Sequence, residues 1–419
     1  MAVSQIQFLT FAKGFMKIGF LGNANNYPFM LARAIKSLGH DVVFVVDSIT
    51  PLNRPENRYQ EIALPYPSWV VDCSPLDLWQ YPNEPPETEK VIQILKECDA
   101  LVLNEFGLAL WDRIHKPAFA LLTGTDLEIL ADQQYSDFCY PGRESVLVFL
   151  KKLFAPKPTR SNREHLESLI EKQRCAIRNA AGVNYFAEGM LINGDRLLAE
   201  LGVFGERRTF FMMGDVERYD YSQYPDNQTL RLFNVSRIQW KKPRQHFICE
   251  LDYKGTDVLI RGLGMFVREN NTPINIVLVK KGIDLEETYK LIAEERLSEK
   301  ITWLETLDQI SLYDEYKKAD VVSDHFGKGS IGMGALDAMA TGRPVIANCS
   351  PEIFGEALGE SSPICHAAAP EEIRDQLVRL AADRELRLRI GKLSRQYVEK
   401  YFTPEHAARI VLKKLEHAC

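Results

Sequence analysis

A glycine-rich segment, residues 327–334, carries the strongest chemical signal in the sequence. Four of its eight residues are glycine, and it lies between a predicted strand and a predicted helix. Glycines allow a ligand to approach the backbone closely, and the free N–H groups of a helix start attract an anion such as phosphate. Asp337 falls about one turn into the helix, where its carboxylate could accept two hydrogen bonds from a ribose diol. The alternative is a tight turn followed by a helix-stabilising aspartate.

Two cations precede this segment in the sequence, one at the end of a predicted strand and one at the start of a predicted helix. Arg237 follows Asn234-Val235-Ser236 at the end of a predicted strand, and Lys254 precedes a predicted helix start. A guanidinium and an ammonium group together suit a pyrophosphate. Either residue alone would more often be a surface charge. Both cations, placed just after a strand or at a helix start and ahead of the glycine-rich segment, together favour a pyrophosphate site.

The elements that must position these residues alternate between buried strands and helices in both halves of the chain. Apolar runs predict strands at Lys17–Leu21 and Asp41–Val46, and the pattern restarts at Leu230–Asn234 and Ile274–Val279. Such alternation is typical of parallel sheets in α/β domains. We expect two doubly wound domains, residues 16–205 and 206–403. Facing one another, they would form a cleft at the carboxyl ends of their strands.

Composition excludes several other classes of protein. The chain has 51 basic and 57 acidic side chains, a net charge of -6, which argues against a general nucleic-acid binder. With 46% hydrophobic and 26% charged residues, it is neither mainly disordered nor fibrous. Its apolar runs are shorter than the roughly 20 residues of a membrane span. The eight cysteines form no CxxC motif. We therefore expect a cytoplasmic protein with reduced thiols that starts at Met1 or Met16.

The second half resembles the nucleotide-binding domain of retaining glycosyltransferases with the GT-B fold, the large family 4 group (glycosyl transferases group 1). That family has Ser-Arg or Gly-Arg after its first C-domain strand, then Lys-Gly at a helix start. Its signature is Glu-Gly-Phe-Gly-Leu-x-x-Leu-Glu-Ala-Met-Ala-x-Gly-x-Pro-Val-Ile. This chain has Ser236-Arg237, Lys254-Gly255 and Gly329-Ser330-Ile331-Gly332-Met333-Gly334-Ala335-Leu336-Asp337-Ala338-Met339-Ala340-Thr341-Gly342-Arg343-Pro344-Val345-Ile346. The resemblance covers about residues 230–400. In the first half it depends on the Gly22 turn and Thr123-Gly124-Thr125-Asp126-Leu127.

The resemblance implies a GT-B fold of two Rossmann-like domains, an N-terminal one for the acceptor and a C-terminal one for the nucleotide sugar. The final helix, residues 404–419, is expected to cross back to the first domain. Arg237 and Lys254 are the expected catalytic residues, holding the donor diphosphate. The remaining donor contacts are expected from Gly329, Ser330, Gly332, Met333, Asp337 and Asp324. The expected acceptor contacts are Gly22, Asn23 and Asp126.

Three departures from the family pattern bear on activity. Gly329 stands where the family has a glutamate that contacts the donor sugar, and Asp324, with His325 beside it, is the nearest substitute. Asp337 is one methylene shorter than the family's second glutamate. Thr123 stands where the family often has histidine. For Asp126, capping of the following helix is an equally good alternative to an acceptor contact.

The resemblance implies transfer of a sugar from a nucleotide-diphosphate donor to a hydroxyl acceptor, with retention of configuration. The acceptor would be a carbohydrate, a lipid-linked molecule or a small molecule, in polysaccharide, lipopolysaccharide or glycoconjugate biosynthesis. We expect no metal and no cofactor, because two cations and a helix N-terminus can stabilise the leaving diphosphate and no DxD triplet is present. The alternatives are a non-catalytic GT-B partner protein, and a nucleotide-sugar epimerase or hydrolase using Asp324 and His325.

A basic, apolar segment, residues 143–163, begins with Arg143 and ends with Arg163. It contains six basic residues and one acidic residue around an apolar core. Such a segment can lie on an anionic membrane surface, which would place the protein at the inner face of the membrane. The favoured interpretation is an ordinary helix packed on its own domain with a solvated basic edge.

Overall fold

The first domain is built on a seven-stranded parallel sheet. The computed structural model describes residues 14–76, 86–139, 160–241, 249–327 and 329–419. The strand order is β3-β2-β1-β4-β5-β6-β7. Its strands are β1 (Lys17–Leu21), β2 (Asp41–Val46), β3 (Val70–Asp72), β4 (Ala100–Leu103), β5 (Ala118–Leu121), β6 (Gly182–Asn184) and β7 (Arg208–Thr209).

The second domain repeats this plan with a six-stranded parallel sheet in the order β10-β9-β8-β11-β12-β13. Its strands are β8 (Leu230–Asn234), β9 (Ile274–Val279), β10 (Ile301–Leu304), β11 (Val321–Ser323), β12 (Val345–Ala347) and β13 (Cys365–His366). Both sheets are doubly wound, as predicted. Their strand orders reverse between β1 and β4 and between β8 and β11, and a doubly wound sheet binds ligands at such a point.

Helices cover the faces of both sheets. In the first domain they are α1 (Tyr27–Ser37), α2 (Glu87–Lys96), α3 (Trp111–Ile114), α4 (Thr125–Glu128), α5 (Gln134–Cys139), α6 (Arg160–Asn179) and α7 (Ile192–Glu200). The following helices are α8 (Thr256–Glu269), α9 (Leu285–Glu294), α10 (Gln309–Lys318), α11 (Met333–Ala340), α12 (Pro351–Leu358), α13 (Pro370–Ala382), α14 (Arg384–Tyr401) and α15 (Pro404–Glu416). Among the described residues, no helix is both long and apolar enough to span a bilayer.

The boundary between the domains lies later than the sequence predicts. β7 pairs with β6 in the first sheet, so residues 208 and 209 still belong to the first domain rather than to a second domain beginning at 206. A two-residue strand shows no periodicity, which is why the sequence does not reveal it. A connecting segment of about residues 210–229 then leads to β8.

The last helix, α15, packs on the first domain. Its apolar face, which includes Ala407, Val411 and Leu415, shares one buried cluster with Phe20 of β1 and Phe29 of α1. A second cluster is continuous between the domains. The two sheets are therefore held together both by the returning helix and by a shared apolar core.

Candidate functional site

A cavity of about 170 Å³ lies between the two domains. Loops after β1, β5 and β6 line one side of it, with Ala24, Asn25, Tyr27, Leu122, Thr123, Asn184, Tyr185 and Phe186. The connecting segment contributes Phe210, Phe211 and Met212. The second domain contributes Leu251, Lys254, His325, Ile331, Gly332 and Met333. The cavity thus joins the carboxyl edges of both sheets, where the sequence predicts a cleft.

Lys254 is fixed at this cavity by its backbone. Its N–H donates to the Gln239 carbonyl at 2.7 Å, and its carbonyl accepts from the Phe326 N–H at 2.7 Å. The next residue, Gly255, has φ +65°, and a methyl group there would lie 2.5 Å from the backbone carbon of Phe326. Only glycine can adopt this conformation in so little space. The Lys-Gly pair therefore brings the lysine against the loop that follows β11.

The Lys254 ammonium is a cation without a close counterion. Within the described part of the chain, no carboxylate lies within 4.0 Å of it, although the charge of Asp324 acts on it from further away. Burial lowers the pKa of Lys254, the Asp324 carboxylate opposes this, and the positive Arg237 adds to it. Lys254 is half-buried, and charges that are partly removed from solvent are normally paired. The arrangement therefore favours binding of an anion in the cavity.

Arg237 lies near Lys254 but is more exposed. Its side chain is 48% exposed and meets the Asp252 carboxylate at 3.4 Å, and it does not line the cavity. Sequence reasoning missed a third cation, Lys281, which follows β9. Burial and the charge of Arg237 both lower the pKa of Lys281. The Lys280-Lys281-Gly282 triplet after a buried strand was the available signal.

Asp324 holds the glycine-rich loop in place. Its Oδ1 accepts from the Ser236 hydroxyl at 2.8 Å, and its Oδ2 accepts from the Gly332 N–H at 2.6 Å. Gly332 is the N-cap of α11, so the carboxylate interacts with the positive end of this helix. Both oxygens are already engaged by the protein. Asp324 is therefore poorly placed to replace the missing glutamate at a sugar.

The other loop residues divide into two pairs. Gly332 and Met333 line the cavity, whereas Gly329 and Ser330 do not. Ser330 is buried, and its hydroxyl donates to the Ile331 carbonyl at 3.3 Å. A methyl group at Gly329 would meet no atom of the described residues within 4 Å, so their packing does not impose the absence of a side chain there. Of the donor contacts expected from this loop, those at the start of α11 therefore face the cavity.

His325 lines the cavity next to Lys254 and Gly332. His325 is 2% exposed, and burial lowers its pKa to about 4. The negative charge of Asp324 acts against this lowering, and the positive charge of Lys254 increases it. Its Nε2 lies 3.6 Å from Asp324 Oδ2, too far for a good hydrogen bond. Its Nδ1 is buried and has no partner among the described residues. An unpaired buried polar atom costs about 1–3 kcal/mol.

Asp337 lies outside the cavity. Its carboxyl is buried near Arg58 of the first domain and near Asp215 and Tyr219 of the connecting segment. Burial raises its pKa to about 7, the charge of Arg58 opposes this and that of Asp215 adds to it. Its Oδ1 has no hydrogen-bond partner within the described ranges. The connecting segment and Arg58 cover that face of α11, so the Asp337 carboxyl does not face the cavity in this arrangement.

Gly22 and Asn23 shape the loop after β1 rather than line the cavity. Gly22 has φ +90°, and a methyl group there would lie 2.0 Å from the Asn104 carbonyl oxygen. The Asn23 amide donates to Asn26 Oδ1 and to the Asn53 carbonyl, both at 2.8 Å, and its Oδ1 accepts from the Phe29 N–H. The neighbours that do face the cavity are Ala24, Asn25 and Tyr27.

Asp126 also has a local structural role. Its carboxylate accepts from the backbone N–H groups of Thr123 and Gly124 and from the Asn104 amide, at 2.9 to 3.0 Å. It is fully buried and does not line the cavity. These bonds hold the Thr123 loop and are not those of a helix cap, because Gly124 is the N-cap of α4 and no side chain caps that helix. Thr123, held by Asp126, lies at the cavity instead.

Two further carboxyl groups with raised pKa values lie at the same edge of the first sheet. Burial raises the pKa of Asp47 to about 6, and burial with the charges of Asp47 and Asp126 raises that of Glu105 to about 8. Within the described residues, no group of three histidine, cysteine or acidic side chains could hold a metal ion. Residues 143–159 of the basic segment lie outside the described residues.

Comparison with known proteins gives a match in the second domain. Residues 232–397 match the family model described as Glycosyl transferases group 1. The D-inositol 3-phosphate glycosyltransferase of Corynebacterium glutamicum is 28% identical over 164 residues, which is 38% of this chain and 39% of the relative. The chain thus spans about two fifths of the length of the curated relatives it matches.

Solved structures resemble the whole chain. HepE from Anabaena, whose structure is described as a complex with UDP and glucose, covers 96% of this chain and all of its own. The TM-score is 0.62 at 16% identity. The sucrose-phosphate synthase of Thermosynechococcus elongatus gives 0.58 at 14% identity, with 96% and 98% coverage. These likenesses show the fold, which is the GT-B arrangement of two Rossmann-like domains.

Proposed function

We propose that this protein transfers a sugar from a nucleotide-diphosphate donor to a hydroxyl acceptor, with retention of configuration. The observation that carries the proposal is Lys254, an ammonium group without a close counterion, at a cavity that also receives the N-terminus of α11. The domain that supplies both features matches Glycosyl transferases group 1. HepE, which has the same fold, is described with UDP and glucose, which supports UDP-glucose as the first donor to test.

The chemistry of the reaction suits these groups. Breaking a sugar–diphosphate bond places positive charge on the anomeric carbon and negative charge on the leaving phosphate. Lys254, the N–H groups at the start of α11 and the nearby Arg237 can stabilise that negative charge. We propose that no divalent metal is required, since these groups supply the charge. The acceptor hydroxyl would attack from the leaving-group face and pass its proton to the diphosphate.

The acceptor would enter from the first domain, whose loops line the opposite side of the cavity. Asn25 and Thr123 offer polar side chains there, whereas the Asn184 amide is already bonded to the Phe211 backbone. They suit a hydroxyl-bearing carbohydrate, lipid-linked or small-molecule acceptor. We place the reaction in the cytoplasm, in polysaccharide, lipopolysaccharide or glycoconjugate biosynthesis, with residues 143–163 proposed to contact the inner face of the membrane.

A thermal-shift screen tests the donor class. The protein is melted with UDP, GDP, ADP, CMP or TDP, each with and without an attached sugar. A ligand at 100 times its dissociation constant stabilises a protein that it binds only when folded by about 2.7 kcal/mol. We expect a shift with one diphosphate and turnover of its sugar conjugate that EDTA does not reduce. Strict dependence on added Mn²⁺ would contradict the metal-free proposal.

Variants at two lysines make the screen specific. Lys254→Ala should lose the shift, whereas Lys280→Ala should keep it, because Lys280 is exposed and paired with Glu305. A folded wild-type protein that responds to no nucleotide and turns over no sugar conjugate would instead support a non-catalytic partner protein.

A further inference from the structure

We propose that His325 hydrogen-bonds a hydroxyl group of the donor sugar and so takes the role of the carboxylate that Gly329 lacks. This inference rests on the proposed function, because it assigns the sugar end of the same site. It also replaces the sequence-based choice of Asp324.

The position of His325 corresponds to the sugar end of a bound donor. It lines the cavity beside Lys254 and Gly332, where the diphosphate would be held. The opposite wall consists of first-domain residues such as Thr123. The group that is transferred must lie between the diphosphate and the acceptor domain. A side chain at this place is therefore within reach of the sugar rather than of the nucleobase.

Other candidates in the second domain are engaged elsewhere. Both oxygens of Asp324 accept hydrogen bonds from Ser236 and Gly332. Asp337 is buried with Arg58, away from the cavity. Of the described second-domain residues that line the cavity, Lys254 and His325 are those with polar side chains. Lys254 is required for the phosphate, which leaves His325.

The chemical state of His325 suits a hydroxyl partner. Its Nδ1 is buried and without a partner among the described residues, so a small rotation of the ring toward the cavity is needed before a ligand hydroxyl can satisfy it. A neutral imidazole has one donor and one acceptor nitrogen, and a hydroxyl can pair with either. Burial keeps the imidazole neutral at physiological pH. A neutral ring contributes little to binding an anionic diphosphate, so its effect should be confined to the sugar.

A binding cycle tests this assignment. Dissociation constants of UDP and UDP-glucose are measured by calorimetry for the wild type and for His325→Phe. In His325→Phe, we expect the dissociation constant of UDP to change less than two-fold. The ratio of the UDP dissociation constant to the UDP-glucose dissociation constant should fall about ten-fold, which corresponds to the loss of one neutral hydrogen bond. If the thermal-shift screen selects another diphosphate and its sugar conjugate, that pair replaces UDP and UDP-glucose.

Two further variants control the cycle. His325→Gln keeps a donor and an acceptor and should recover part of the ratio. His366→Phe alters another histidine of this domain, one that accepts the Cys349 N–H and does not line the cavity, and should leave the ratio unchanged. Retained UDP binding shows that each variant is folded. If His325→Phe unfolds, His325→Ala, which also lacks both ring nitrogens, takes its place in the comparison.

The outcomes separate this inference from the function on which it rests. An unchanged ratio in both His325 variants, or an equal loss of UDP and UDP-glucose affinity, would overturn the role of His325 while leaving the donor class intact. A wild-type protein that binds no nucleoside diphosphate overturns both. Loss of slow UDP-glucose hydrolysis with an unchanged ratio would identify His325 as part of a hydrolase site and also overturn the proposal.

Discussion

Asp337 should make the stability of this protein depend on pH in an unusual direction. Burial raises its pKa from the usual 3.8 to about 7. The folded state therefore binds the proton more tightly than the unfolded state, and the free energy of unfolding falls as pH rises from about 4 to about 7. Each pH unit corresponds to 1.36 kcal/mol, so the full effect is on the order of 4 kcal/mol, an upper value because a folded protein relaxes around a new charge.

The variant Asp337→Asn keeps the shape of the side chain but cannot ionise. Melting temperatures are measured at pH 5 and pH 8 for the wild type and the variant. A change of 1 kcal/mol moves the melting temperature of a domain of this size by roughly 2–4 °C. We expect the wild type to lose several degrees more than the variant between these pH values. Absolute melting temperatures are not compared, because the variant also leaves Arg58 with one carboxylate fewer.

Two comparisons make the result specific. Asp47 and Glu105 also have raised pKa values, so a residual loss of stability toward pH 8 should remain in the variant. Asp314→Asn, at an exposed carboxylate of α10, should behave as the wild type. Equal pH dependence in the wild type and Asp337→Asn would show that Asp337 does not titrate between pH 5 and pH 8, and would refute its assignment as a buried carboxyl with a pKa of about 7.

Three further predictions concern the two cations near the cavity, the structural carboxylate Asp126 and the basic segment at residues 143–163. Lys254→Ala should lower kcat/KM by about two to three orders of magnitude and Arg237→Ala by less, because Arg237 is 48% exposed; wild-type rates in both would exclude them from the diphosphate site. Asp126→Ala should lower the free energy of unfolding by about 3 kcal/mol in urea denaturation, since it leaves the N–H groups of Thr123 and Gly124 unpaired, and an unchanged midpoint would contradict its structural role in the Thr123 loop. The full-length protein should float with anionic vesicles and the double variant Lys151→Glu/Lys152→Glu should not; equal behaviour of the two would favour an ordinary helix at residues 143–163.

Elements with strong local patterns could be read from the sequence. The strands Lys17–Leu21, Asp41–Val46 and Ile274–Val279 are continuous apolar runs, and the structure has them with the same bounds. β7 and β13 have two residues each, too few to show an alternation of apolar and polar side chains, so the sequence does not predict them. The doubly wound fold followed from the long elements alone, because alternation of strands and helices determines a parallel sheet.

The site was only partly predictable. Lys254 and the start of α11 were identified because their neighbouring glycines are local and conspicuous. His325 was noted in the sequence only as a neighbour of Asp324, and the roles of these two residues could not be separated. That separation depends on the Ser236 hydroxyl, which lies 88 residues earlier in the chain and occupies one Asp324 oxygen.

The sequence by itself determined the class of fold and the residue types available for binding an anion, since periodicity and glycine spacing act over short distances along the chain. The tertiary structure decided which polar groups remain free. Asp337 and Asp126 have the right chemistry for ligands, but Arg58, the connecting segment and the Thr123 loop enclose them. Whether a carboxylate is engaged or available depends on partners brought together by folding, and no local pattern records those partners.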